Sequence, residues 1–271
     1  MKKVLFTDLD GTMLDLFDYS YEAALPALES LKERKIPVIF CTAKTLAENE
    51  YYHKILGVEG PFIVDNGGAI FIPKNYFSFE FSFASTERGD YCVIELGASY
   101  DELRAALKAI RSETGFKITG FGDMTAEEVA TDANLSVEAA ERAKKKEYNE
   151  SFIFDEPEDK EALLFAKIEE KGFAVTHGGR YYNIHGKNAD KGIAVKRLTE
   201  LFKQEYDGEV KTIGVGDSRN DIPMLNAVDQ PALVKNKKGS WLELALPNLY
   251  RAQGEGPEGW AEVVERFIGN K

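Results

Sequence analysis

Two carboxylates stand one residue apart in Asp8-Leu9-Asp10-Gly11-Thr12, preceded by the apolar run Val4-Leu5-Phe6. Like charges this close repel unless a cation or a proton lies between them. At the C-terminal lip of a buried strand they are poor packing residues. They are well suited to holding Mg2+ beside a phosphoryl group. Three further groups follow in chain order. Thr42 comes after Ile39-Phe40-Cys41, with Lys44 two residues on. Lys191 opens a helical pattern after Asp190. Gly214-Val215-Gly216-Asp217-Ser218-Arg219-Asn220-Asp221 sets two acids four residues apart after a buried strand. Taken singly, Thr42 reads as a helix N-cap, a role it is expected to share. Lys191 alone reads as a solvated helix residue, and Asp217 as a turn acid. Only their joint order points to a site. Asp15 and Asp18 lack such support and read as flap or turn residues.

The elements that must position these groups follow from periodicity. Residues 3–7, 36–41 and 62–64 are continuous apolar runs, separated by helical patterns over 21–34 and 46–56. From Lys191 the alternation returns, with helices over 193–202, 222–227 and 258–268 and strands over 210–215 and 232–234. Strands apolar throughout and alternating with helices predict an α/β fold, a doubly wound parallel-sheet (Rossmann-like) core. In such sheets ligands bind outside the carboxyl ends of the strands, where all four groups fall. The middle differs. Aromatic-rich strands are expected over 77–83 and 91–96, and helices over 100–113, 125–131, 136–146 and 158–170. A strand is expected over 152–154, and a hairpin over 173–176 and 181–185 turning at Gly178-Gly179. This is an inserted α/β cap. The expected division is core 1–84, cap 85–186 and core 187–271.

The chain has 271 residues, 44% hydrophobic and 30% charged, enough for a sizeable core. A net charge of -12 disfavours nucleic acid as a partner. No apolar run approaches the roughly 20 residues that cross a bilayer. Met1-Lys2-Lys3-Val4 enters a strand with no signal-type apolar region, and Cys41 and Cys92 are the only cysteines. Together these features lead us to expect a cytoplasmic protein with core thiols. An acidic protein acting on a phosphate ester must supply positive charge locally, from a metal, Lys or Arg.

The ordered set D-x-D-G-T, Thr42, Lys191 and G-D-x-x-N-D resembles the phosphatase branch of the haloacid dehalogenase-like hydrolase superfamily. The insert resembles the cap of that superfamily's Cof-like phosphatases. The resemblance implies Asp8 as nucleophile, forming an aspartyl-phosphate, and Asp10 as general acid and then base. It implies Thr42 as a phosphoryl hydrogen-bond donor, and Lys191 as partner of the nucleophile and of the transferred charge. Mg2+ would be held by Asp8, the Asp10 carbonyl and Asp217, with Asp221 orienting Lys191 or a water.

Further segments are similar to the mannosyl-3-phosphoglycerate phosphatase family. These are Cys41-Thr42-Ala43-Lys44-Thr45, Pro61-Phe62-Ile63-Val64-Asp65-Asn66-Gly67-Gly68-Ala69 and Gly120-Phe121-Gly122-Asp123-Met124-Thr125. Lys146-Glu147-Tyr148-Asn149-Glu150, Gly179-Arg180-Tyr181-Tyr182 and Glu255-Gly256-Pro257-Glu258-Gly259-Trp260 complete the set. The implied substrate is a small phosphorylated glycosyl-glycerate. A glucosyl ester, or sugar phosphates broadly, stays open beside the mannosyl ester. A noncatalytic binder and a phosphomutase are less consistent with the residues present. Two positions depart from the family pattern, Asp65 standing for Glu and Lys146 for Arg. Expected substrate contacts are Gly11, Lys44, Asn66 and Gly67 on core loops, with Asp123, Arg180 and Tyr181 on the cap. Tyr148 is expected to pack in the cap, His53 to be an exposed helix residue, and Lys144-Lys145-Lys146 a solvated face. His177 and His185 flank the hairpin.

Overall fold

The computed structural model describes residues 1–80, 85–177 and 181–269, and every element below lies among them. The first segment supplies β1 (Lys2–Thr7), α1 (Leu25–Glu33), β2 (Val38–Phe40), α2 (Leu46–Leu56) and β3 (Phe62–Val64). It continues with β4 (Ala69–Pro73), β5 (Thr86–Arg88) and β6 (Tyr91–Glu95). The middle supplies α3 (Tyr100–Thr114), β7 (Ile118–Gly120), α4 (Ala126–Ala133) and α5 (Val137–Ala143). Then come β8 (Asn149–Phe154), α6 (Glu161–Glu170), β9 (Phe173–His177) and β10 (Tyr182–Gly186). The last segment holds α7 (Lys191–Glu205), β11 (Val210–Gly216), α8 (Ile222–Ala227), β12 (Gln230–Lys235), β13 (Tyr250–Glu255) and α9 (Gly256–Ile268).

The middle of strand β1, Val4-Leu5-Phe6, is apolar because both its faces are covered. Leu5 packs in a layer with Leu28 and Leu31 of α1 and with Trp260 and Val263 of α9. Val4 and Phe6 pack on the other side with Ala194, Leu198 and Phe202 of α7 and Leu225 of α8. The parallel sheet has the order β13-β12-β11-β1-β2. A parallel bridge between Cys41 and Ile63 extends it to β3. Since β1 lies between β2 and β11, the strand order reverses there, and the crevice at that reversal is where such sheets bind ligands.

From β3 the pairing becomes antiparallel, in the order β3-β4-β6-β5. Residues 86–95 therefore pair with the first segment and not with the insert. We redraw the boundary, expected between 84 and 85, to the loop 96–99. Residues 77–80, expected to start a strand, form bends, with Phe77 packed against Phe202; 81–83 lie outside the described residues.

The insert folds as an antiparallel sheet, β7-β8-β10-β9. One face carries Ile118, Phe152 and Ile184 against Leu103 and Leu107 of α3 and Leu164 of α6. The hairpin pairs from His177 opposite Tyr182; its turn residues Gly178 and Gly179 lie outside the described residues. Among the described residues no helix is long and apolar enough to cross a membrane.

Candidate active site

The ends of β1 and β11 assemble the site. Thr7 lies opposite Val215, and the Asp8 N–H donates to the Val215 carbonyl at 3.0 Å. Asp217 then stands two residues beyond the shared edge. Gly11 has φ +79°, and a Cβ there would lie 2.9 Å from Asp217 Oδ2, so the loop closes onto Asp217 only with glycine. Thr12 Oγ1 donates to Asp217 Oδ1 at 3.2 Å. Asp190 caps α7 by accepting the Ile193 N–H at 2.7 Å, which sets Lys191 in the first turn. The fully buried Lys191 ammonium donates to Asp8 Oδ1 at 2.6 Å and to Asp221 Oδ1 at 2.7 Å. Asp221 Oδ2 accepts the N–H groups of Asp217 at 3.0 Å and Ser218 at 3.1 Å. Both oxygens of Asp221 are thus engaged in orienting its neighbours.

One ammonium faces three carboxylates. Ligand oxygens of Asp8, Asp217 and Asp221 lie within 4.8 Å of one another. Burial pushes Asp8 up to about 7; Lys191 pulls it down and Asp221 pushes it further up. Asp217 is also held well above the usual carboxylate range by burial and by the Asp221 and Asp8 charges. Burial disfavours the charge on Lys191, but Asp221 and Asp8 outweigh it and hold its pKa above the ordinary lysine value. The excess negative charge and the hard oxygen donors fit a divalent cation such as Mg2+.

Asp10 faces the opposite wall, where the buried Lys44 ammonium pairs with its Oδ1 at 2.9 Å and with Glu48 at 3.4 Å. That ammonium sits over the rings of Tyr19 and Tyr52. Thr42 is buried at the end of β2 and accepts the Lys44 N–H at 3.3 Å. It is not a helix cap; Thr45 caps α2 in a reciprocal pair with Glu48.

Residues 5–246 match the haloacid dehalogenase-like hydrolases. A glucosyl-3-phosphoglycerate/mannosyl-3-phosphoglycerate phosphatase of Methanococcoides burtonii is 50% identical over 99% of this chain and 98% of its own. The chain belongs to the haloacid dehalogenase-like hydrolases. Within them it belongs to the mannosyl-3-phosphoglycerate phosphatase family and is a phosphoric monoester hydrolase. A like-named protein of Persephonella marina is 43% identical over 98% of this chain and 97% of its own. The crystal structure of Thermoplasma acidophilum 0175 shares the fold, with a TM-score of 0.71 at 17% identity over the whole of both chains.

In this hydrolase the loop 65–68 is a brace. Asp65 and Asn66 both have left-handed φ, +49° and +58°. A Cβ on Gly67 would lie 2.2 Å from the Asp190 carbonyl carbon, so the loop presses directly on the start of α7. Asn66 Oδ1 accepts from Asn220 Nδ2 at 3.2 Å. The two departures from the family pattern meet: Lys146 Nζ lies 3.5 Å from Asp65 Oδ1. Asp65 Oδ2 also accepts the N–H groups of Glu147 and Tyr148, each at 3.0 Å, and Lys146 donates to the Ala43 carbonyl at 2.8 Å. This is a clasp between core and cap. Lys146 is therefore buried, and Lys144 donates to the Phe121 and Met124 carbonyls, so neither belongs to a solvated face.

The expected cap contacts are less direct. Asp123 is held inside the cap by Arg104 at 2.6 Å, Arg111 at 2.8 Å and the Gly120 N–H at 3.0 Å. Burial opposes its charge, but these partners keep its pKa well below the usual range. Tyr181 donates to Asp132 at 2.6 Å and packs edge-on against Phe121. Arg180 lies outside the described residues. Tyr148 packs in the core's hydrophobic layer, not the cap's. His53 is not exposed: it packs edge-on against Phe40 and Phe62, and burial lowers its pKa to about 4.

One support of Asp8 was not foreseen. The buried Trp260 Nε1–H donates to Thr7 Oγ1 at 2.9 Å, and that hydroxyl donates to the Asp8 carbonyl at 2.7 Å. A buried indole N–H needs a partner, and Trp260 in Glu255-Gly256-Pro257-Glu258-Gly259-Trp260 was the available signal.

Proposed function

We propose that this chain removes the phosphate from 2-O-glycosyl-3-phosphoglycerates, accepting mannosyl and glucosyl esters. The observation that carries the chemistry is the Asp8–Lys191–Asp221 ion array beside Asp217 at the reversal of the sheet. The substrate class rests on the two full-length relatives of that double name. Asp8 attacks phosphorus, the P–O bond to glycerate breaks, and the leaving oxygen takes a proton from Asp10. Water then attacks the aspartyl-phosphate, gives its proton to Asp10 and releases inorganic phosphate. Lys191 holds the nucleophile in place and balances charge on the transferred group. Thr42 hydrogen-bonds a phosphoryl oxygen. Mg2+ would be held by Asp8, Asp217 and the Asp10 carbonyl, and when bound it supplies charge neutralisation at the phosphoryl oxygens. Lys44, paired with Asp10, and Asn66, bonded to Asn220, are candidate partners of the glycerate carboxylate and sugar, with Gly11 and Gly67 shaping the loops. Arg180 is carried forward from the sequence as a candidate carboxylate partner. The proposed setting is the cytoplasm and the proposed partner a small molecule. The test is phosphate release with Mg2+ from mannosyl- and glucosyl-3-phosphoglycerate beside simple sugar phosphates. A marked preference for the two glycosyl esters, lost in Asp8→Asn, is expected. Equal turnover of the whole panel would overturn the substrate assignment, and an active Asp8→Asn the mechanism.

A further inference from the structure

The cap sheet has two unlike faces. One is apolar and packs on α3 and α6. The other carries Asn149 and Ser151 of β8, Asn183 and His185 of β10, and Thr176 of β9, by strict alternation with Phe152, Ile184 and Val175. Register puts them side by side: Asn149 opposite His185, Ser151 opposite Asn183, and Asn183 opposite Thr176. This face turns towards the core. Strand β9 lies against the turn of residues 219–221 that carries Asp221, and Asn149 follows Tyr148, which packs in the core layer.

A sheet face covered by protein is ordinarily apolar, or its polar groups are paired. Here Ser151 Oγ donates to Asn183 Oδ1 at 2.7 Å, and His185 Nδ1 lies 3.1 Å from the Gly186 carbonyl. The remaining capacity is unmet. Asn149 is fully buried, yet among the described residues neither its Oδ1 nor its Nδ2 reaches a partner, and nor do His185 Nε2 and Thr176 Oγ1. On the core side, Asn66, bonded through Oδ1 to Asn220 of the turn against β9, has a buried Nδ2 that is likewise unmet among the described residues. Side-chain amides, an imidazole and hydroxyls, offering both donors and acceptors and no net charge, match the hydroxyl groups of a sugar ring.

We propose that Asn149, Ser151, Asn183 and His185 form the surface that reads the sugar hydroxyls of the substrate. This rests on the function proposed above. A site built to bond hydroxyls rejects esters lacking them, because its own buried groups are then left unpaired. The surface therefore gives the enzyme its preference for glycosylated over plain phosphoglycerate. Burial holds the His185 imidazole below its ordinary pKa, so it stays neutral; with Nδ1–H donating to the Gly186 carbonyl, Nε2 is left to accept a sugar hydroxyl.

The test compares kcat/KM for mannosyl- and glucosyl-3-phosphoglycerate with that for 3-phosphoglycerate, in wild type, Asn149→Leu and Ser151→Ala, with Mg2+. The ratio of glycosylated to plain ester should fall by about tenfold or more in Asn149→Leu, and by severalfold in Ser151→Ala. Since the Asn149 side chain bonds to none of the described residues, Asn149→Leu should unfold at or above the wild-type temperature. A ratio unchanged in both variants would overturn the proposal. So would a marked fall in unfolding temperature with equal loss on all esters, which would show a structural bonding role. If wild type itself shows no preference for the glycosyl-glycerates, the function reading fails separately. The same ratio is then taken between the sugar phosphate it hydrolyses best and p-nitrophenyl phosphate, and an unchanged ratio there also overturns the proposed surface.

Discussion

Replacing Lys191 by Met should injure stability and catalysis together, and the structure sets the scale. The Lys191 ammonium has no exposure and lies 2.6 Å and 2.7 Å from two carboxylates that are themselves 6% and 0% exposed. Removing one partner from a buried ion pair costs about 3–5 kcal/mol, because the other charge is left uncompensated. For a chain of this size that corresponds to a fall of about 6–20 °C in unfolding temperature. The loss should depend on pH. Asp8 titrates near 7 even with Lys191 present. Without the lysine its pKa moves higher, so at pH 5 the carboxyl is protonated in both proteins and the variant loses less, while its extra loss grows as pH rises past the wild-type value near 7 and is larger at pH 8. The assay is thermal unfolding at pH 5 and pH 8 in a metal chelator, beside phosphate release with Mg2+. Turnover should fall by about a hundredfold or more, as for loss of a preorganised charge aimed at the transferred group. Adding Asp221→Asn should recover part of the stability and none of the activity. Unfolding at pH 8 within about 2 °C of wild type would refute the buried-charge reasoning.

Other consequences follow from the same geometry. Chelation should abolish activity, Mg2+ should restore it, and the rise in unfolding temperature on adding Mg2+ should be larger at pH 8 than at pH 5, since Asp8 and Asp217 must shed protons to bind the ion; a response independent of pH would contradict this. His53 titrates near 4 when folded and 6.5 when unfolded. Between those values the unfolded chain binds the extra proton, so stability is lost as pH falls through this window, by up to about 3 kcal/mol. His53→Leu should flatten that stretch of the stability–pH curve, and an unaltered slope would show that His53 is not its source. Trp260→Phe keeps an aromatic side chain, though a smaller one, and removes the N–H bonded to Thr7. It should lower kcat severalfold with KM nearly unchanged, measured by steady-state phosphate release, whereas an equal change in both would point to general loosening.

Legibility in the sequence followed the physics of each element. β1 and β11 were readable because burial on both faces demands an unbroken apolar run, and their polar ends stood out against it. Asp8, Lys191, Asp217 and Asp221 were readable as a set because the sheet brings strand ends together whatever the loops do. β13 was not anticipated: its sequence, Tyr-Arg-Ala-Gln-Gly-Glu, is that of a half-exposed edge strand, with Ala252 its one fully buried residue. β5 lies at the far edge of its sheet and is largely exposed, which hid its pairing with β6 and misplaced the cap boundary. His53 was misread because helix position alone cannot show that Phe40 and Phe62 close over it. The partners of Asp123 were not readable because Arg104 and Arg111 become its neighbours only once α3 packs on the cap sheet.

The clasp at Asp65 explains why the family departures there need not alter the sugar contacts. Aspartate is one methylene shorter than glutamate, yet its carboxylate caps two successive backbone N–H groups, at Glu147 and Tyr148. Those bonds require the carboxylate close to the cap segment, and the left-handed turn at Asp65 and Asn66 brings it there. Lysine in place of arginine supplies a point charge instead of a planar fork. That suffices, because Lys146 divides its donors between the Ala43 carbonyl and Asp65 rather than gripping one carboxylate with two parallel bonds. Both residues are spent on holding the cap against the core. On the surface proposed above, recognition of the sugar is then left to groups that still have hydrogen bonds to make, on the polar face of the cap sheet and at Asn66 of the core.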